Sequence, residues 1–196
     1  ECGIFYGIDM KRVAIQGVPG SYHDIAAHQF FENEEIELIC CSSFEDIFIK
    51  MKEDYDIIGM LAIENTIAGS LLHNYELLRQ SGATIIGEHK LRIKHSFVCL
   101  PDDNIEDITE VNSHPVALAQ CRDFLQQFPK MKIVETDDTA ASAQAIKEEN
   151  LKGHAAICSH YAADLYGMKV FQEGIETNKH NFTRFLVVCD PWKADD

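Results

Sequence analysis

The sequence predicts an α/β protein of two lobes with a cleft between them, and three observations carry that prediction. Strand-like and helix-like segments alternate along residues 12–166, the βα repetition that builds largely parallel sheets. They fall into two series on either side of residues 83–100, a stretch too long for one ordinary strand. At the strand-to-helix junctions 63–70 and 113–121 an apolar run gives way to small polar residues, and such junctions are where α/β folds hold ligands.

The first series pairs a strand at 12–16 with a helix at about 21–32, a strand at 36–41 with a helix at 44–53, and the apolar run 57–63 with a helix at 71–80. Ser21 opens its helix after Gly17 and Gly20, which gives an anion-friendly helix end. This Gly-x-x-Gly lacks the GxGxxG spacing of a dinucleotide site, so no nucleotide cofactor is expected. Residues 83–100 alternate, with Leu91, Ile93 and Phe97 on one face and Lys90, Arg92 and Lys94 on the other, and read as the crossing between lobes. The second series runs from a strand near Glu110 to a helix at 115–127, whose Pro115 suits a first turn, then a strand at 132–135 and a helix at 139–149. A strand at 155–158 and a helix at 160–166 complete it, and strands at 170–175 and 182–189 close the chain.

Composition excludes several classes. With 196 residues, 46 % apolar and 25 % charged, the chain has the make-up of a soluble globular protein. Its 17 basic and 32 acidic side chains leave a net charge of −15, which repels a phosphate backbone and excludes nucleic acid as a partner. Seven cysteines stand without CxxC spacing, and the histidines, His73, His89 and His95 among them, lack ligand spacing, so no metal is expected. No apolar run approaches a membrane span and no signal peptide is seen, so reduced thiols in a cytoplasmic protein are the reading. Residues 1–9 read as a leader or N-terminal extension ahead of Met10.

The segment Asn181-Phe182-Thr183-Arg184-Phe185 sets a hydroxyl and a guanidinium side by side at the mouth of a strand. Alternation would send Thr183 and Arg184 to opposite faces unless the strand opens into a loop there. Ser113 sits at the start of the helix at Pro115, where it either caps or leaves backbone N–H groups for a carboxylate. His114 reads as a structural hydrogen bonder whose range still permits proton transfer.

Together, the turn at 17–22, Glu64-Asn65-Thr66, residues 113–121, Asp138-Thr139-Ala140-Ala141 and Thr183-Arg184-Phe185 give five ordered matches. Through them the chain resembles the prephenate dehydratase family over residues 11–190. His23 and Val116 depart from it, standing where the family commonly has Ser and Gln. The resemblance implies two α/β subdomains like a type II periplasmic-binding-protein fold, with residues 10–88 plus 176–190 as the first lobe and 89–175 as the second. It implies a hydro-lyase that dehydrates and decarboxylates prephenate to phenylpyruvate in phenylalanine biosynthesis, without cofactor and as a homodimer. Thr183, Asn65 and Gln120 would be catalytic. Arg184, Phe185, Ser113, Ser21, Glu64, Thr66 and His114 would bind substrate, with Arg184 divided between a substrate carboxylate and a lobe contact and Glu64 between the site and an outward charge. The family's C-terminal regulatory (ACT) domain has no room in 196 residues. A hinge is expected at the two crossings, near 88–92 and 175–181. Arogenate dehydratase is the near alternative, and a non-enzymatic two-lobed binder of small anions is the rival of another class.

Overall fold

In a computed structural model, which describes residues 10–194, the first sheet and its helices are built from β1 (Lys11–Gln16), α1 (Tyr22–Phe30), β2 (Ile36–Cys41), α2 (Phe44–Glu53), β3 (Ile58–Asn65), the short β4 (Gly69–Ser70), α3 (Leu72–Ser81) and β5 (Thr84–Arg92). The second carries β6 (Ser96–Cys99), β7 (Glu110–Ser113), α4 (Pro115–Gln120), α5 (Arg122–Leu125), β8 (Lys132–Glu135), α6 (Thr139–Glu148), β9 (His154–Cys158), α7 (His160–Leu165) and β10 (Lys169–Glu173). β11 (Phe182–Cys189) returns to the first sheet and α8 (Pro191–Ala194) follows it. The leader read at residues 1–9 lies outside the described residues.

Strand order is β2-β1-β3-β11-β5 in the first sheet, with β4 beside β3, and β10-β6-β9-β7-β8 in the second. Both sheets are mixed. The βα series supplies three parallel strands to each, while β11 runs antiparallel to β3 and β5, and β6 runs antiparallel to β9 and β10. The antiparallel members are the segments that cross between sheets, which enter without a helical crossover to turn them round. Each sheet is covered on both faces: Val13, Met60 and Phe185 pack with Ala26 and Ala27 of α1, and Leu61 and Val188 with Ile47 of α2. Phe97, Val111 and Phe124, then Val98, Ala143 and Ile146, do the same in the second.

Helix starts follow side-chain chemistry. Ser21, Ser43, Asp138 and Ser159 cap α1, α2, α6 and α7, each accepting from the backbone N–H three residues on. The helix expected at 115–127 is broken at Cys121, because the Gln120 carbonyl accepts from Thr177 N at 2.8 Å and no longer serves the helix. The stretch 83–100 is two strands. β5 stays in the first sheet to Arg92, four residues past the expected lobe boundary at 88, and is paired with β11 along its length. Residues 88–92 thus belong to a strand of the first sheet, and the crossing between sheets falls at 93–95. There Ile93 N donates to Asn181 O at 2.8 Å and Ile175 N to His95 O at 3.1 Å, so the outgoing and returning connections are bonded to each other.

A third tie joins the lobes at the turn after β1. Ser159 Oγ donates to Gly20 O at 2.9 Å and the Tyr166 hydroxyl to Pro19 O. Gly20 has φ +93°, and a Cβ there would lie 3.0 Å from Ala162 Cα and Cβ. Gly20→Ala is expected to lower unfolding stability by about 1–3 kcal/mol through strain and overpacking at this seam. A urea midpoint unchanged from wild type would show that the seam yields.

Candidate active site

In each sheet the chain leaves the central strand to one side and returns on the other: β1 lies between β2 and β3, and β7 between β8 and β9. Such a reversal leaves a crevice at the carboxyl ends of the strands. The residues after β1, β3, β7 and β8 meet in one cavity of about 250 Å³, whose lining includes Ser21, Asn65, His114, Asp138, Thr183 and Phe185.

Register explains which side chains reach it. Thr183 lies opposite Asn65 and Phe185 opposite Ala62, so β3 spends one residue more than β11 between these pairs. That bulge puts Asn65 and Ala62, three apart in sequence, on the cavity face together. Asn65 Nδ2 donates to Thr183 Oγ1 at 3.0 Å, and Asn65 Oδ1 accepts from Ile67 N and Ala68 N at 2.9 and 2.8 Å. With its oxygen accepting from Asn65, the Thr183 hydroxyl keeps its own proton for a ligand. Gln120 comes in from the end of α4: Nε2 donates to Asn65 Oδ1 at 3.4 Å, and Oε1 accepts from His95 Nε2 at 2.8 Å and Asn181 Nδ2 at 3.0 Å. Thr183, Asn65 and Gln120 are thus one hydrogen-bonded group across the cleft.

Of the expected substrate-binding residues, Phe185, Ser21 and His114 line the cavity. Phe185 is a buried wall, Ser21 Oγ caps α1, and His114 rather than Ser113 caps α4 through Nδ1, which accepts from Val116 N at 3.2 Å. The other four do not line it. Arg184 points from the opposite face of β11, donating from Nε to Glu88 at 2.8 Å and from Nη1 to Glu64 at 3.2 Å, so alternation holds and both Arg184 and Glu64 are held outside. They border a second hollow of about 330 Å³ with Lys90, whose Nζ sits 4.6 Å from the Phe182 ring centre. Thr66 borders it too; its hydroxyl donates to His180 O and accepts from Phe182 N, both at 2.9 Å, pinning the loop. Ser113 is fully buried and donates to Ile157 O at 2.6 Å, bracing β7 on β9.

The sequence reading missed His23, His95 and Asp138 as cavity groups. His95 is buried, with Nε2 on Gln120 and Nδ1 2.8 Å from the Tyr22 hydroxyl, which is itself 2.7 Å from Lys94 O. Burial pushes its pKa down. His23 Nε2 accepts from Ala62 N at 3.3 Å, and burial lowers that ring to about 4. Burial also raises the Asp138 carboxyl, against the backbone N–H groups of Ala141 and Ala140 that hold its charge. No Lys or Arg lines the cavity among the described residues. Nor is any group of three or more His, Cys, Asp or Glu placed there to hold a metal.

A family model described as prephenate dehydratase matches residues 13–192. The chain is 39 % identical over 182 residues to the chloroplastic arogenate dehydratase 5 of Arabidopsis thaliana, covering 92 % of this chain and 42 % of that protein. It is 31 % identical over 174 residues to the bifunctional chorismate mutase/prephenate dehydratase of Buchnera aphidicola, covering 88 % and 45 %. It therefore spans less than half the length of either relative. Among solved structures, a prephenate dehydratase from Arthrobacter aurescens in complex with L-Phe superposes with a TM-score of 0.84 at 26 % identity, over 92 % of this chain and 60 % of that one.

The His23 ring gives a pH signature. Its ordinary value of 6.5 applies to the unfolded chain and about 4 to the folded one, so between these values the unfolded state binds a proton that the folded state refuses. Stability contributed here is complete above 6.5 and is lost as pH falls towards 4. His23→Phe removes the linkage, so the urea midpoint of the wild type should fall more steeply with acid across that window than the variant's. Parallel pH profiles would show that the ring is not held neutral.

Proposed function

The chain belongs to the prephenate dehydratase family, and from that premise we propose that its cleft converts prephenate to phenylpyruvate. The ring C–O bond and the bond to the ring carboxylate break, carbon dioxide leaves, and its electron pair aromatises the ring. One proton is taken up to make water of the departing hydroxide.

The observation that carries this reading is the Thr183 hydroxyl, oriented by Asn65 at 3.0 Å beside the buried Phe185 wall. A fixed donor in a water-poor pocket is what the departure of a hydroxyl requires. A threonine is too weak an acid to give up its proton outright, so its part is an oriented hydrogen bond or a relay. Gln120 supplies a neutral N–H edge beside it. Since no Lys or Arg among the described residues lines the cavity, the substrate carboxylates would rest on neutral donors and on the N-terminal ends of α1 and α6, where Ser21 and Thr139 line the wall.

Arogenate is a second reading with specific support. Relatives at 37–39 % identity are named arogenate dehydratases, and the Asp137 and Asp138 carboxylates on the cavity wall offer an ammonium group a partner. Cytoplasmic residence and a homodimer belong to the proposal as well. Six free cysteines among the described residues, five of them buried, agree with a reducing compartment, whereas the Arabidopsis relative is chloroplastic. No described helix is long and apolar enough to cross a membrane.

Turnover of prephenate and of arogenate, followed by the appearance of phenylpyruvate and phenylalanine, distinguishes the two readings and refutes both if neither is consumed. Thr183→Ala should lower kcat by about 10²-fold or more with little change in KM, as expected of a contact that strengthens while charge develops on the leaving oxygen. Near-full turnover in that variant would make Thr183 a strand residue only.

A further inference from the structure

His23 lines the cavity, and nothing in the reaction described above uses it. Its tautomer is fixed by the backbone. The Ala62 N–H can only donate, and it donates to Nε2 at 3.3 Å, so the ring proton of the neutral imidazole sits on Nδ1. No described residue accepts from Nδ1, yet no buried side-chain nitrogen or oxygen lacks a partner. Nδ1 is therefore open to the cavity that the ring lines.

Position follows from register. The His23 ring meets Phe185 edge-on with centroids 5.0 Å apart and leans on Phe44 at 5.5 Å. Phe185 is two residues along β11 from Thr183, a spacing of about 7 Å. With its leaving hydroxyl hydrogen-bonded to Thr183, a six-membered ring puts its para carbon about 7 Å from the Thr183 oxygen, the hydrogen bond, the C–O bond and the ring taken together, and in the proposed substrate that carbon carries the carboxylate that departs. Resting on the proposed activity, we propose that His23 is a substrate-contacting residue whose Nδ1–H donates to that ring carboxylate.

A neutral donor suits this place better than a cation. A lysine or arginine would stabilise the carboxylate in the bound ground state and oppose its conversion to neutral carbon dioxide. A single N–H among Phe44, Phe185 and Ala62 orients the group while leaving it poorly solvated. Burial, which holds the ring neutral, keeps the donor in this form at working pH.

The test uses two ring-saturated prephenate analogues that cannot aromatise, one with the ring carboxylate and one without, titrated calorimetrically into wild type, His23→Phe and His23→Asn. Removing the ring carboxylate should weaken binding to wild type about tenfold more than to His23→Phe, the loss of one hydrogen bond to a charged group. His23→Asn, whose amide nitrogen can stand in for Nδ1, should behave as wild type. Nitrogen-15 spectra of the wild-type imidazoles should show His23 protonated at Nδ1, with that resonance shifted by the carboxylate analogue only. Equal losses in wild type and His23→Phe, or a His23 proton on Nε2, would overturn the contact while leaving the proposed activity standing. A wild type that binds neither analogue and turns over neither substrate would overturn both.

Discussion

The cleft depends on the Gln120 side chain being held by groups on both sides of the cleft. Its carbonyl takes hydrogen bonds from His95 and Asn181, which fixes its amide nitrogen on Asn65, which in turn holds Thr183. His95 and Asn181 lie on the two connections, Asn65 on the first sheet, and Gln120 on the second lobe, so one chain of bonds sets the relation of all four. Gln120, His95 and Asn181 are almost sealed from solvent. In that setting an amide stripped of its partner costs more than the bond itself was worth, because the group left behind is desolvated and unpaired. Replacing Gln120 by an apolar residue would strand two donors at once, so its effect on catalysis cannot be separated from an effect on how the lobes meet.

Charge imposes the second constraint. Under the proposed activity a chain with a net charge of −15 would accept an anionic substrate, and its cavity offers no Lys or Arg side chain among the described residues. Arg184, the nearest candidate in sequence, is spent on Glu64 and Glu88 across the outer face. What remains is a set of neutral donors, Thr183 and Gln120 among them, and the ends of two helices. Such a site would hold a carboxylate by geometry rather than net charge, and would give up less when that carboxylate turned into a neutral product.

The alternation of strands and helices was legible because hydrophobic period is a local property, and the βα segments formed close to where it placed them, apart from the helix broken at Cys121. The Asn65, Gln120 and Thr183 group was legible only through motif resemblance, since an amide at a strand end carries no local signal of its own. Face assignment was not. Alternation correctly separates Thr183 from Arg184, but the bulge that brings Asn65 and Ala62 to one face arises from pairing with β11, a strand more than 110 residues away along the chain. The break at Cys121 has the same origin, since Thr177 captures the Gln120 carbonyl from a distant segment. His23 and His95 stand singly in the sequence, with no spacing to another histidine or carboxylate that would favour a site over a satisfied structural histidine.

These long-range bonds also bear on motion. Two connections bonded to each other would by themselves allow the lobes to rotate with few contacts broken. The turn after β1 opposes that freedom: Gly20 and Pro19 accept from Ser159 and Tyr166, and a Cβ on Gly17 would stand 2.6 Å from Asp138 Oδ2. The seam and the Asn65–Gln120 bond, at 3.4 Å the longest in the group, both tie one lobe to the other. Since Asp138 both caps α6 and lines the cavity, a ligand that reaches it also touches the seam. Asp138 thereby joins the cavity wall to the seam between the two sheets.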